Sequence, residues 1–267
     1  MFKIICLKGG VGNQLFEYCR FRQLQDEGHN AYLHYDHRRL KQHNGQRIDQ
    51  IFRVVLPAEP WWVMLLVIVL KSLRKFNLAS RLYDDSRPDC VLIDDYCQCR
   101  QSTVNAHEVL HFRENILTDE ASSIAQEIKD APHAVALHVR RGDYLHASNV
   151  HNFGTCSLSY YASAMHLVRR QHPDAQFFLF SDDVRWCRSQ AEFADCRIVE
   201  FHHSPDYVNL YLMTLCRSHI IANSTFSFWG AFLGIHKDGT HIYPRQWFAN
   251  AAWHKPDFLP TDWVALP

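Results

Sequence analysis

The chain has 267 residues, which is enough for one large domain or for two domains of about 130 residues each. It carries 28 basic and 28 acidic residues and has a pI of about 7.3, so it lacks the basic excess typical of a nucleic-acid-binding protein. With 47% hydrophobic and 21% charged residues, the composition excludes a disordered chain and predicts a globular protein with a substantial core.

The N-terminal stretch predicts the start of an α/β unit. Residues 4–7 favour a strand, the following KGGVGN a glycine turn, and residues 14–25 a helix with one apolar face. Leu15 occupies the third glycine position of a G-x-G-x-x-G pattern, so the glycines before it predict a tight turn and not a dinucleotide fingerprint. Residues 31–35 predict a second strand.

Residues 60–76 form an unusually apolar segment. Ten uncharged residues, WWVMLLVIVL, are followed by Lys71, Arg74 and Lys75. This run is too short to cross a membrane, because a span takes about 20 apolar residues. Two interpretations stay open: a helix buried in the core, or a helix lying at a membrane surface. Residues 37–81 carry nine basic against two acidic residues, a net charge of +7 that suits an anionic surface in the second case.

The second half of the chain alternates between predicted strands and helices. The predicted strands are residues 135–140, 177–181, 198–201, 219–222 and 241–244. The predicted helices are residues 119–130, 160–170, 207–217 and 223–233. This alternation indicates an α/β protein with a parallel sheet and right-handed crossovers, and a domain boundary near Pro132.

The segment VALHVRRGDY places charged side chains at the end of a predicted strand. On that strand His138 and Arg140 share one face, and the glycine after the second arginine permits a turn. Ligands of open α/β sheets bind at the carboxyl ends of the strands, and a guanidinium fork suits phosphate. The alternative is a structural network in which Asp143 pairs with Arg141 and no ligand is bound.

Four segments together resemble glycosyltransferase family 11, the α-1,2-fucosyltransferases. HVRRGDY is similar to the family signature H-x-R-R-x-D-Y, whose looser form H-x-R-R-x-D occurs in α-1,6-fucosyltransferases. KGGVGNQLF, FLFSDD and ANSTFSFWGAFL resemble three further family motifs in the same order. Together the four motifs extend over residues 8–233, nearly the whole chain, so the resemblance is specific.

The resemblance implies roles for the charged residues. Arg140 would contact the β-phosphate of GDP and stabilise the departing diphosphate, usually the largest contribution in such catalysis. Arg141 would support the pocket, and His138 and Asp183 would lie near the nucleotide. Asp143 is the candidate general base by its motif position, with orientation of Arg141 or of a loop as its alternative role.

Two further groups of residues receive roles from the same resemblance. Asn223, Ser224 and Thr225 would hold the diphosphate at a helix start, where N–H groups bind anions; without the resemblance, an ordinary N-cap is the simpler interpretation. The glycine loop near the N-terminus would face the sugar from the cleft. The residues of this loop are Gly10, Gly12 and Asn13.

The resemblance also implies fold and chemistry. The fold would be α/β and GT-B-like, with two facing Rossmann-like domains: residues 1–132 on the acceptor side and residues 133–267 binding GDP-fucose. The alternation alone would also allow one doubly wound domain. The enzyme would transfer L-fucose from GDP-β-L-fucose to the 2-hydroxyl of a galactose that terminates an oligosaccharide, including a lipid-linked one. Inversion would pass through an oxocarbenium-like transition state.

No metal or cofactor is expected. The sequence contains no D-x-D tripeptide. The adjacent Asp182 and Asp183 would point to opposite sides of a strand and make a poor metal pair. We therefore predict a metal-independent enzyme.

One competing motif, HEVLH, matches the H-E-x-x-H pattern of zinc hydrolases. On a helix His107 and His111 would share a face, with Glu108 as the base. Leu117 stands where the longer zinc motif needs a third histidine, so a distant ligand such as Glu127 would be required. The chain has 18 histidines, which makes chance matches common. Zinc-dependent hydrolysis and nucleotide-sugar binding without catalysis are the two alternative functions.

The nine cysteines bear on location. Their number is odd and no C-x-x-C occurs, which argues against a disulfide framework and for free thiols in a reducing compartment. We expect a cytoplasmic protein, located at the inner membrane face if residues 60–76 make peripheral contact.

Overall fold

The structure is a computed structural model that describes residues 2–41, 47–76, 78–83, 87, 89–253 and 256–267. It divides into two compact units, Met1–Arg113 and Glu114–Pro267. The strands are β1 (Phe2–Leu7), β2 (Asn30–Tyr35), β3 (Leu92–Ile93), β4 (His133–Val139), β5 (Ala175–Ser181), β6 (Arg197–Ile198), β7 (Ser218–Ile220), β8 (His241–Pro244) and β9 (Val264–Leu266).

Helices connect most of these strands. The α-helices are α1 (Val11–Asp26), α2 (His37–Lys41), α3 (Trp61–Lys75), α4 (Ala106–Val109), α5 (Asp119–Asp130), α6 (Leu158–Gln171), α7 (Val184–Arg188), α8 (Tyr207–Leu215) and α9 (Thr225–Phe232). Short 3₁₀ turns occur at Ile48–Gln50, Ser80–Leu82, Arg100–Thr103, Asp143–Leu145 and Ala191–Phe193.

The first unit is built on a three-stranded sheet in the order β2-β1-β3, with both pairs parallel. The central strand β1 is buried on both faces, as expected for a parallel strand covered by helices. On one face Ile4 and Cys6 of β1 pack against Val63 and Val67 of α3. The apolar segment of residues 60–76 therefore contributes to the core through one side of its helix.

The second unit is built on a six-stranded sheet in the order β6-β5-β4-β7-β8-β9, and every neighbouring pair is parallel. Along β4 and β5 the apolar side chains alternate between two core layers. Ala136 and Phe178 pack with α5 and α8 on one face, whereas Leu137 and Leu179 pack with α6 on the other. The predicted α/β class and parallel sheet are confirmed.

Helix α5 belongs to the second unit. Thr118 accepts a hydrogen bond from the N–H of Ala121 and caps the helix, whose buried face includes Ile124 and Ile128. These side chains pack in the same cluster as Ala136. The division between the two compact units therefore falls at Arg113, earlier than the domain boundary predicted near residue 132.

Some predicted elements differ from the observed ones. The strand predicted at residues 198–201 is limited to β6, and the short edge strands β3 and β9 were not predicted. All nine cysteines are free and six are buried, which confirms the expected thiols. Within the described ranges, no helix is long and apolar enough to cross a membrane.

Candidate active site

The strand order of the second unit creates a crevice between β4 and β7. The chain leaves β4 towards β5 and leaves β7 towards β8, so the connections diverge on opposite sides of this pair. Such a switch point, at the carboxyl ends of the strands, is where open α/β sheets bind ligands. Two of the predicted groups lie after these strands: Arg140 to Asp143 follow β4 directly, and Asn223 to Thr225 begin shortly after the end of β7.

Arg140 is held between two carboxylates. Its Nη2 lies 2.6 Å from Asp143 Oδ1, and its Nη1 lies 3.0 Å from Asp182 Oδ2. The pairing of Val139 with Ser181 in the sheet explains the second contact, because it places the next residues of β4 and β5 side by side. Asp143 thus pairs with Arg140, and not with Arg141 as the structural alternative predicted.

Burial and charge act in opposite directions on Arg140. Burial lowers the pKa of its guanidinium, but the carboxylates of Asp182 and Asp143 raise that pKa above its ordinary value. The side chain stays charged and remains 30% exposed, so a further anion can reach it. The guanidinium also lies over the ring of Tyr144, 5.6 Å from its centroid.

Arg141 is fixed by a separate set of contacts. Its Nε lies 3.1 Å from Asp183 Oδ2, and its guanidinium lies 3.7 Å from the centroid of the Trp186 ring. Its backbone N–H donates to Asp182 Oδ1 at 2.9 Å. Asp183 also caps α7 by accepting from the N–H of Trp186. The carboxylates of Asp182 and Asp183 therefore hold the guanidinium groups of different arginines.

Gly142 allows this arrangement because it lacks a side chain. A Cβ at this position would lie 2.6 Å from Asp182 Oδ2, well inside van der Waals contact. The carboxylate that binds Arg140 and the Arg141 N–H would have to move. A glycine is thus needed at the predicted turn because any side chain would prevent the close approach of Asp182.

His138 lies inside β4, close behind the two arginines. It is buried, its ring lies 6.0 Å from that of Phe226, and its Nδ1 has no hydrogen-bond partner among the described residues. Burial lowers the pKa of His138 to about 4, with Asp182 opposing and Arg140 reinforcing the shift. The imidazole is therefore neutral at pH 7 and can donate or accept a hydrogen bond without bringing charge.

The side chain of the N-cap residue of α9, Ser224, makes no capping hydrogen bond among the described residues. The amide of Asn223 donates to the backbone carbonyls of Phe153, Gly154 and Trp247, so it holds loops in place. Ser224 occupies the N-cap position, but its hydroxyl accepts no hydrogen bond from the helix. The ordinary N-cap considered from sequence is therefore not formed.

A hydrogen bond connects this helix end to the segment that follows β4. The hydroxyl of Tyr144 donates to the carbonyl of Asn223 at 3.0 Å, and Thr225 is the first residue of α9. The first N–H groups of any helix lack an intrahelical acceptor and favour an anion. The crevice thus combines two arginines with an uncapped helix start, an arrangement suited to a phosphate group.

The predicted glycine loop lies in the first unit, at the carboxyl end of β1. Gly10 is the N-cap of α1, and Gly12 and Asn13 are in its first turn. Asn13 Oδ1 accepts from Gln98 Nε2 at 2.9 Å. Gly9, with φ of +74°, supplies the left-handed residue that the turn needs. These residues are gathered at one helix start, within the first unit.

The H-E-x-x-H stretch does not form the helix that a zinc site of this type requires. Helix α4 ends at Val109, and Leu110 has extended backbone angles, so His107 and His111 do not share a helix face. His111 Nε2 instead lies 3.1 Å from the carbonyl oxygen of Glu108. In the part of the chain that the structure describes, no three His, Cys, Asp or Glu side chains are placed to hold a metal ion.

Sequence analysis missed the part that Asp182, Trp186 and Gly142 play in this site. Asp182 was considered only as a metal ligand, yet it contacts both arginines. The available signal was the parallel pairing of two strands, each followed directly by charged residues. If β4 and β5 are taken as neighbours, Arg140 and Asp182 must meet.

Comparison with solved structures supports the fold. The crystal structure of NodZ α-1,6-fucosyltransferase soaked with GDP-fucose covers 87% of this chain and 92% of its own, with a TM-score of 0.51 and 14% sequence identity. Because the sequence identity is low, this comparison supports a shared fold and nothing about the activity.

Comparison with relatives and with family profiles identifies the family. An Escherichia coli α-1,2-colitosyltransferase is 28% identical over 97% of both chains. A galactoside α-(1,2)-fucosyltransferase 1 of Alouatta caraya is 25% identical over 97% of this chain and 73% of its own. The profile of Glycosyl transferase family 11 matches residues 95–267, which contain the whole crevice of the second unit. The chain therefore belongs to glycosyltransferase family 11.

Proposed function

We propose that the protein transfers L-fucose from GDP-β-L-fucose to the 2-hydroxyl of a terminal galactose on a glycan, with inversion and without a metal ion. The observation that carries this proposal is the meeting of Arg140 and Arg141 with the uncapped start of α9 at the switch point of the second sheet. The name of the galactoside α-(1,2)-fucosyltransferase relative supplies the sugar and the acceptor.

The arrangement would act on the departing nucleotide. Cleavage of the donor leaves negative charge on the diphosphate and positive charge on the sugar. Arg140 is already oriented by Asp182 and Asp143, so its charge would need little reorganisation as the bond breaks. The N–H groups at the start of α9 would share the diphosphate charge, with Ser224 and Thr225 beside them.

Two residues near the arginines have more limited proposed roles. Asp143 is the candidate base for the acceptor hydroxyl, but its short contact with Arg140 supports a positioning role more strongly. Neutral His138 would border the nucleotide as a hydrogen-bonding group. Asp183 would act through Arg141, which it holds.

The units would divide the substrates in the manner of a GT-B enzyme. Residues 133–267, all within the second unit, would bind GDP-fucose, and the first unit, residues 1–113, would shape the acceptor side through Gly10, Gly12 and Asn13. The likeness to a solved fucosyltransferase supports the fold on which this proposal is built. The enzyme would work in the cytoplasm, where free thiols persist, on acceptors that include lipid-linked glycans.

The test is a donor and acceptor panel with product analysis. With GDP-fucose, GDP release should depend on a β-galactoside, and NMR of the product should show a new α-linkage to the galactose 2-hydroxyl. Activity should persist in excess EDTA. GDP release without dependence on any galactoside, a different linkage, or loss on chelation that Mn²⁺ or Zn²⁺ restores would each contradict the proposal.

A colitosyl donor is the second candidate, because the relative that aligns over 97% of both chains is a colitosyltransferase. The same panel decides between the two sugars. A higher kcat/KM with GDP-colitose than with GDP-fucose would assign the colitosyl activity.

A further inference from the structure

Helix α3 is apolar on both sides, but only one side is covered. Its inner residues Val63, Val67 and Leu70 are buried against the first sheet. Five large apolar side chains on the opposite side are between 46% and 73% exposed. These residues, which we call the outer face of α3, are Trp61, Met64, Leu65, Ile68 and Val69. A continuous exposed apolar face of this kind marks an interaction surface.

The outer face follows a straight line along the helix. Trp61, Ile68 and Lys75 are seven residues apart, close to two full turns, so they lie one behind another. The line begins with an aromatic ring, continues with aliphatic side chains and ends with an ammonium group. Phe76 and Leu78, directly after the helix, are also exposed. The apolar surface thus extends past the last helical turn.

Basic side chains adjoin the C-terminal end of α3. Lys71 lies 3.5 Å from Asp36, the residue directly before α2, and Arg39 of α2 lies 3.8 Å from the same carboxylate. This contact brings the exposed α2 next to the end of α3. Three exposed basic residues there make no ion pair within the described ranges. We call these three residues the basic rim: Arg38, Lys41 and Lys75.

We propose that the outer face of α3 and the basic rim dock the protein on an anionic lipid surface, with α3 lying in the plane of the interface. Tryptophan and aliphatic side chains insert at the headgroup boundary, and the basic groups attract anionic headgroups. The helix of 15 residues is about 22 Å long and too short to cross the hydrocarbon layer. The positive charge beside the outer face is complementary to anionic headgroups, whereas a second copy would carry the same positive charge, which favours lipid as the occupant.

This inference goes beyond the proposed function and does not rest on the sugar chemistry. The test is cosedimentation of the full chain with two kinds of vesicle. One is phosphatidylcholine alone, and in the other about 30% of the lipid is phosphatidylglycerol. We expect at least about tenfold stronger binding to the anionic vesicles at low salt, falling towards the neutral level as ionic strength rises.

Two variants distinguish binding through the outer face from non-specific binding to vesicles. Leu65→Gln/Ile68→Gln should weaken binding to anionic vesicles by about tenfold, whereas Val104→Gln, which changes an exposed apolar residue of the same unit that is not part of α3, should leave binding unchanged. Transfer to a soluble galactoside without vesicles should stay within about twofold of the original in both. This readout reports on the proposed function separately.

Three results would overturn the proposal. The first is absence of the protein from both vesicle types. The second is undiminished binding by the Leu65→Gln/Ile68→Gln variant. The third is a dimer in solution that this variant converts to a monomer, because a second copy would then cover the outer face.

Discussion

Each unit places a basic side chain directly after the strand at the centre of its sheet, but the two side chains have different surroundings. Lys8 follows β1 and pairs with Asp94, which follows β3; Arg140 follows β4 and pairs with Asp182, which follows β5. The side chain of Lys8 is 3% exposed, and that of Arg140 is 30% exposed. Equivalent positions in two parallel sheets thus give a buried ion pair in one unit and, in the other, an accessible guanidinium at the proposed anion site.

The chemistry of the two cations widens this difference. The ammonium of Lys8 lies 2.6 Å from Asp94 Oδ1 and 2.7 Å from the Asp94 carbonyl oxygen, so the same residue accepts two of its three donors. The guanidinium of Arg140 has five donors in a planar fork and keeps capacity for phosphate beside its two carboxylates. Exposure and donor number, more than strand position, therefore distinguish the cation that we propose binds an anion from the structural one.

The largest expected effect is on turnover, from Arg140→Lys. A single ammonium cannot bridge Asp182 and Asp143 while presenting a fork to the diphosphate, so kcat should fall by about a hundredfold or more. The circular dichroism spectrum should be unchanged, because the side chain lies at the edge of the crevice.

The matched control is Arg169→Lys, which alters an arginine of the same unit that pairs with Asp195 at the surface. Its turnover should stay within about twofold of the original. Calorimetric titration with GDP completes the measurement. Normal turnover and GDP affinity in Arg140→Lys would show that Arg140 does not bind the diphosphate. The proposed difference in role between Arg140 and Lys8 would then be wrong.

How far this site could be predicted from the sequence depends on the range of the contacts. Strand ends and the alternation of β4 and β5 are local patterns, so the second sheet could be predicted from them. The grouping of Arg140 with the start of α9 was implied only by the family resemblance. The partners of Asn223 could not be predicted, because they are backbone carbonyls about 70 and 24 residues away, a type of contact that leaves no sequence pattern. β3 has two residues, too few to show a period.

The segment of residues 60–76 was ambiguous for a different reason. An all-apolar run has no polar side from which the buried face could be read. The structure shows that Val63 and Val67 are buried while Leu65 and Ile68 are exposed, so the core interpretation applies to one face only. Whether the other face meets a membrane stays a prediction.

The second prediction tests the structural side of the comparison through stability. Lys8→Met leaves Asp94 buried without its closest partner, which should lower the free energy of unfolding by about 3 kcal/mol. The value lies at the lower end for buried pairs because Lys71 and Arg74 remain 3.8 Å and 3.7 Å from the same carboxylate. Urea unfolding followed by tryptophan fluorescence measures the change.

Lys71→Met is the matched control for this change, since it removes a half-exposed cation from the same carboxylate. It should cost less than about 1 kcal/mol. Equal losses of unfolding free energy in the two variants would show that Lys8 stabilises the fold no more than Lys71 does. The burial of Lys8 would then not explain a structural role that differs from that of Arg140.

The third prediction tests the space that Asp182 needs beside Gly142. The Cβ of Gly142→Ala would force the Asp182 carboxylate away from Arg140 and should lower kcat/KM by about tenfold, with little effect on folding. A double-mutant cycle with Asp182→Asn checks the cause. If the alanine acts through Asp182, the two losses should be less than additive; full additivity would place the effect of Gly142 elsewhere.

The smallest expected effect concerns Glu17, the buried acid beside Lys8. Its Oε2 accepts the backbone N–H of Lys8 at 2.8 Å, and burial raises the pKa of its carboxyl well above the ordinary value of 4.5, although the N–H and the charge of Lys8 oppose the shift. The folded protein therefore keeps a proton that the unfolded chain releases. The free energy of unfolding must then fall as pH rises above 4.5, until the folded carboxyl also ionises.

Glu17→Gln removes this titration while keeping the shape of the side chain and an acceptor for the Lys8 N–H. The variant should match the original protein near pH 4 and become progressively more stable relative to it between about pH 5 and 8. Urea unfolding at several pH values measures the difference, with Glu108→Gln, an exposed change in the same unit, as the control that should show no such trend. A flat difference for Glu17→Gln would mean that its carboxyl is ionised in the folded protein. The network around Lys8 would then carry an additional buried charge and would resemble the arginine site more closely than its burial suggests.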